Sequence, residues 1–210
     1  MLTGKPFLTK ERIRFLFRKI ILPLLFIYIC IGIMTTIRNM SINNNEYAAV
    51  LLSDCAFWQY DYWASPCAFL GSYIPWTHYF NNRNMKVKWF FRAKSNDLEN
   101  VIKDKDCQSV VLVGHGDIDS WQATDMEVSN SAVAKMMKDV SKKRGEWLQL
   151  SCGGESKYFM KMGELVMEDK RKVYTYSKSV TTYAFVFDAL SGFRYLKSLN
   201  RKYLDMTSIL

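Results

Sequence analysis

MKVKWFFRAKSNDLENVIKDKDCQSVVLV, residues 85–113, places two short apolar runs on either side of an amphipathic one. Met85–Arg92 is rich in β-formers and Ser109–Val113 is a compact Val/Leu run, so both read as strands. Between them Ser95 caps SNDLENVIKDKD, in which Leu98, Val101 and Ile102 recur at helical spacing. A strand, a helix and a strand in this order form a crossover, and a crossover joins parallel neighbours.

The same alternation extends both ways from this unit. Ala48–Ser53 (AAVLLS) is a short apolar strand upstream. Downstream, Ser129–Lys143 is helical, with Val133, Met136, Met137 and Val140 on one face; Trp147–Leu150 is a strand, Tyr158–Glu168 a helix and Lys172–Tyr176 a strand. The expectation is an α/β fold, a three-layer sandwich with helices on both faces of a mostly parallel sheet. Ligands of such sheets gather at the carboxyl ends of the strands, so a functional residue is sought just after a strand. Residues 57–80 depart from the pattern, with ten aromatics from Phe57 to Phe80 interrupted by Pro66, Gly71 and Pro75. This stretch is expected to be an aromatic-rich loop covering the sheet, or else a membrane-facing patch or groove wall.

The chain has 210 residues, 49% hydrophobic and 23% charged, which suits one domain with an appendage. Residues 20–37 (IILPLLFIYICIGIMTTI) carry no charge, and roughly 18 residues of helix rise about 27 Å, close to the hydrocarbon thickness of a bilayer. Lys5, Lys10, Arg12, Arg14, Arg18 and Lys19 precede this run while only Arg38 follows closely. The positive-inside rule therefore puts residues 1–19 in the cytoplasm and the domain from residue 47 outside, joined by a linker at 38–46. No small-x-small cleavage site follows the run, so it reads as an uncleaved signal anchor. The net charge of +9 is spread along the chain and comes with no nucleic-acid-binding motif, so no nucleic-acid partner is expected.

Two strand ends carry chemistry. VVLVGHGD (Val110–Asp117) runs straight into Gly-His-Gly, and WLQLSCGGE (Trp147–Glu155) into Cys-Gly-Gly. A thiolate is a good nucleophile, an imidazole generates or stabilises it, and glycine N–H groups can hold an oxyanion. Metal ligation lacks any suitable spacing, and chemistry of this kind needs no cofactor. If Cys152 stays free, at most one disulfide forms among Cys55, Cys67 and Cys107.

A hydrophobic strand ending in His-Gly, one helix, then a hydrophobic strand ending in Cys resembles the caspase-like superfamily of cysteine peptidases, which includes legumains, gingipains, clostripain and caspases. The 37 residues from His115 to Cys152 suffice for a loop and a crossover helix. The resemblance implies a caspase-like sheet over about residues 47–190, His115 as proton donor and acceptor, Cys152 as nucleophile, and Gly116 in the oxyanion hole. It implies a protein or peptide substrate. Ser-Cys-Gly-Gly is not the caspase pentapeptide, so aspartate specificity is not implied.

An α/β-hydrolase reading of the same motifs fails on chain order, because that fold places its histidine after the nucleophile and only His78 and His115 are present, both before Cys152. His78, in the aromatic stretch, is read as structural. Asp54 follows the first strand and is a candidate acid for a basic substrate side chain. Tyr183, closing Ser179–Tyr183 (SVTTY), and Asp188 are further substrate-binding candidates. The alternative from another class is a catalytically inactive interaction module at the membrane surface, with the aromatic stretch as its contact.

Overall fold

The crossover over residues 85–113 fixes the middle of the architecture, and a computed structural model describes residues 10–53, 64–117, 119–150 and 161–175. In chain order, α1 (Lys10–Leu16) runs through a five-residue π-helical stretch (Phe17–Ile21) into α2 (Leu22–Ser41). Then come β1 (Tyr47–Leu52), α3 (Ala64–Asn81), β2 (Lys86–Phe91), α4 (Ser95–Lys103) and β3 (Cys107–Val113). Three short strands follow, β4 (Gly116–Asp117), β5 (Ser120–Gln122) and β6 (Glu127–Ser129). The described part closes with α5 (Asn130–Met136), β7 (Trp147–Leu150), α6 (Met162–Val166), a 3-10 turn (Lys170–Lys172) and β8 (Val173–Thr175).

Five strands form one sheet in the order β2-β1-β3-β7-β8, and every neighbouring pair is parallel. All six residues of β1 and all four of β7 are buried, as expected of central strands covered on both faces. Alternate residues then divide between two cores. Ala49, Leu51, Val110, Leu112 and Trp147 face Leu98, Val101 and Ile102 of α4, Val133 of α5 and Met162 and Val166 of α6. Ala48, Val50, Leu52, Val111 and Leu148 face Trp76, Tyr79 and Phe80 of α3. The fold is α/β with helices on both faces of a parallel sheet.

Residues 64–81 are helical rather than a loop, and they form the crossover from β1 to β2. Pro75 forfeits a helical N–H donor and disfavours this state. Packing overrides it: Trp76 and Phe80 are fully buried against the sheet, and each large aromatic contributes on the order of 2–3 kcal/mol by leaving water. The helix expected over Ser129–Lys143 stops at Met136, because Asp139 takes a left-handed φ of 62°. Ending there lets Lys143 turn inward, where its Nζ donates to Asp104 O at 2.9 Å and Cys107 O at 2.7 Å. Helix α6 covers only Met162–Val166 of the expected Tyr158–Glu168, whose residues 158–160 lie outside the described part. Ser95 is the first residue of α4 and not its cap; Asp97 Oδ2 accepts from Lys94 N at 2.8 Å, while the Ser95 hydroxyl donates to Asp125 Oδ2 at 2.7 Å.

Cys107 opens β3 fully buried, a free thiol whose Sγ donates to Ser109 O at 3.4 Å. This removes it from the disulfide arithmetic. Burial pushes its thiol from 9.0 up to about 11, with the Lys143 ammonium opposing the rise. The unfolded chain then ionises first, so folding is unaffected below pH 9 and loses on the order of 2 kcal/mol as pH climbs to 11. Lys143, whose burial lowers its pKa, works in the opposite sense, since the unfolded chain holds that proton longer. Cys107→Ala is expected to flatten the fall of Tm between pH 9 and 11. An equally steep fall in the variant would assign the loss to Tyr47 and Tyr79, whose hydroxyls burial also raises.

Candidate functional site

The carboxyl ends of β1, β2, β3 and β7 lie along one edge of the sheet, because all run in one direction. Arg92, at a left-handed φ of 51°, turns the chain off β2, and Ala93 N donates to Leu52 O at 3.0 Å. Ser53 N donates to Val113 O at 3.1 Å, tying the end of β1 to that of β3. The same carbonyl accepts from Trp121 Nε1 at 3.4 Å.

His115 follows this junction by two residues and its side chain is exposed. Gly114 makes the approach possible: a β-carbon there would lie 2.4 Å from Ser53 Oγ and 3.1 Å from Trp121 Nε1, at a φ of 157°. Gln122 N donates to His115 O at 2.9 Å, and Gly116 pairs with Trp121 across an antiparallel ladder. Bonded and non-bonded pairs alternate in such a ladder. With 115 and 122 a bonded pair, the N–H of Gly116 is directed away from β5.

The edge has a second layer that the sequence did not announce. Strands β4, β5 and β6 form a three-stranded antiparallel sheet over residues 116–129, where no strand was expected. Gln149, buried in β7, fastens it by donating from Nε2 to Ser120 O at 3.1 Å. Trp121 is wholly buried beneath it. Ser53 is also wholly buried, and its Oγ has no hydrogen-bond partner among the described residues. Short strands of three residues give little periodicity; the Asp119 and Asp125 turns flanking SWQ and EVS are the signal that could have marked them.

His78 lies on α3, exposed, with its ring nitrogens 2.9 Å from Asn82 Nδ2 and 3.5 Å from Arg38 Nη1. It is remote from His115, at the opposite end of the crossover helix. Cys152, Asp54, Tyr183 and Asp188 lie outside the described residues, as does Cys55. Among the described residues no cluster of three or more His, Cys, Asp or Glu is disposed to hold a metal ion. Among the described residues one helix, Arg14–Ser41, is long and apolar enough to cross a membrane. No protein-family model matches the chain, and no curated protein is similar to it above the level of chance.

Proposed function

We propose that the chain is a membrane-anchored cysteine peptidase of caspase-like type, in which Cys152 attacks the scissile carbonyl and His115 shuttles the proton. The observation that carries this reading is the register of β3 and β7, adjacent and parallel, with Val113 opposite Leu150. His115 and Cys152 each follow those paired positions by two residues in sequence. Gly116, whose N–H is not taken up by β5, is the oxyanion donor in this reading. Attack by the thiolate gives a tetrahedral adduct. Its collapse passes the imidazolium proton to the leaving amine and leaves an acyl-enzyme for water to hydrolyse. The helix through residues 20–37 crosses the bilayer in this reading, with the basic N-terminus in the cytoplasm and the domain outside.

A membrane-impermeant, thiol-directed acyloxymethyl ketone tests both parts at once. Intact cells carrying the full chain are expected to be labelled, with the adduct lost in Cys152→Ala. Labelling only after lysis would overturn the topology, and labelling that survives in Cys152→Ala would overturn the nucleophile.

A further inference from the structure

His115 is carried between two sheets. Strand β3 ends at Val113 and β4 begins at Gly116, so Gly114 and His115 are the whole covalent link from β3 into the three-stranded sheet. His115 O accepts from Gln122 N at 2.9 Å, which fixes the residue to β5. The placement of His115 is therefore set by how the smaller sheet is seated on the larger one.

Several hydrogen bonds seat it on the side of β2 and β3. Thr124 N donates to Ala93 O at 2.9 Å, Ser95 donates to Asp125 from its N–H at 2.8 Å and its hydroxyl at 2.7 Å, and Trp121 Nε1 donates to Val113 O at 3.4 Å. On the β7 side the tie is Gln149, whose Nε2 donates to Ser120 O at 3.1 Å. Gln149 stands between Leu112 of β3 and Thr175 of β8 in register and is 1% exposed. It shares a face of β7 with Trp147, and that core also takes in Trp121, Ala123 and Val128. An amide inside a strand buried on both faces adds little net stability over an apolar side chain of the same shape, because its bond replaces bonds to water. What the amide adds is direction, since a bond to one carbonyl specifies a single seating.

We infer that Gln149 is a positioning residue for His115: it holds the three-stranded sheet, and His115 with it, at the carboxyl end of β7. The inference rests on the dyad proposed above. Cys152 follows Gln149 by three residues in sequence, so one strand carries both the tie to the histidine's sheet and the lead into the nucleophile. A sheet bonded only on the side of β2 and β3 is free to tilt away from β7, and His115, on a two-residue link, tilts with it.

The test compares the full chain with Gln149→Met, which keeps an unbranched side chain of similar length and removes the donor; Gln149→Leu, of different shape, must give the same pattern. Three quantities are read: Tm, amide hydrogen exchange by segment, and the rate at which iodoacetamide modifies the Cys152 peptide as a function of pH. Tm is expected to stay within about two degrees of the parent. Exchange over residues 116–129 should be several-fold faster with β1 and β3 unchanged, and the rise in Cys152 alkylation should move toward roughly pH 8.5, the range of an unperturbed thiol. Unchanged exchange over residues 116–129, or faster exchange with the parent's pH profile, would overturn the inference. So would a Tm loss of several degrees with faster exchange throughout β1 and β3, which would make Gln149 an ordinary core residue. A parent whose Cys152 itself reacts only near that pH would overturn the dyad, and the positioning role with it; the two failures differ in the parent.

Discussion

Alanine in place of His115 is expected to lower kcat/KM for peptide hydrolysis by about 10²–10⁴-fold, the range lost with a positioned general acid–base. The fold should survive. The His115 side chain is exposed, and the bond that holds its segment, from Gln122 N, ends on its backbone carbonyl. Tm is therefore expected to stay within about a degree or two of the parent, as for an exposed side chain. A merely structural role is separated from a chemical one by the alkylation rate of Cys152 against pH. With the imidazole present the thiolate should persist well below the range of a free cysteine; without it, reactivity should rise only near pH 8.5, roughly the value of an unperturbed thiol. Parent-like kcat/KM in His115→Ala would remove the dyad, whatever Cys152 does.

Gly114→Ala is expected to damage stability and activity together. Its new β-carbon would meet Ser53 Oγ at 2.4 Å, Trp121 Nε1 at 3.1 Å and Gln122 O at 3.3 Å, in a backbone conformation that side chains rarely adopt. Something must move, and each candidate holds the edge together: Ser53 N bonds Val113 O, Trp121 bonds the same carbonyl, and Gln122 bonds His115 O. Overpacking of this kind costs about 1–3 kcal/mol, and at about 2–4 °C per kcal/mol for a chain of this size Tm should fall by several degrees. Activity should fall further than the folded fraction accounts for, because His115 is the next residue. Ser53 Oγ, the closest obstacle, has no hydrogen bond to lose among the described residues. Ser53→Ala combined with Gly114→Ala should then recover part of the lost Tm, a coupling that independent sites do not show. Additive losses would mean that Trp121 or the backbone, not Ser53, sets the limit.

Much of the fold was legible because parallel strands buried on both faces are short continuous apolar runs. AAVLL, SVVLV and WLQL correspond to β1, β3 and β7 within a residue or two at each end. Helix α4 was legible for a different reason, since Leu98, Val101 and Ile102 form a stripe opposite charged residues. Helix α3 was not. Buried between α2 and the sheet, it is apolar around most of its circumference, and it contains Pro75. Neither periodicity nor propensity marks such a helix.

His115 was found from its place after a strand and between glycines. Ser53, Trp121, Gln122 and Gln149 were missed because their roles are contacts across distant segments: Gln149 reaches Ser120 and Trp121 reaches the carbonyl of Val113. A serine after a strand and a glutamine within one carry no local mark of that use.

The sequence by itself determined the alternation of elements, the parallel sheet that alternation requires, the strand-end placement of His115 and the apolar helix ahead of the domain. Only the tertiary structure decided that α3 packs its aromatics onto one face of the sheet and that Gly114 is pressed against Ser53. The physical reason is range. Strand and helix periodicities are written in neighbours two to four residues apart, whereas Tyr28 meets Leu70 and Asn39 meets Val87 across more than forty residues of chain. Direction and juxtaposition are set by such contacts, and they exist only once the two cores have closed.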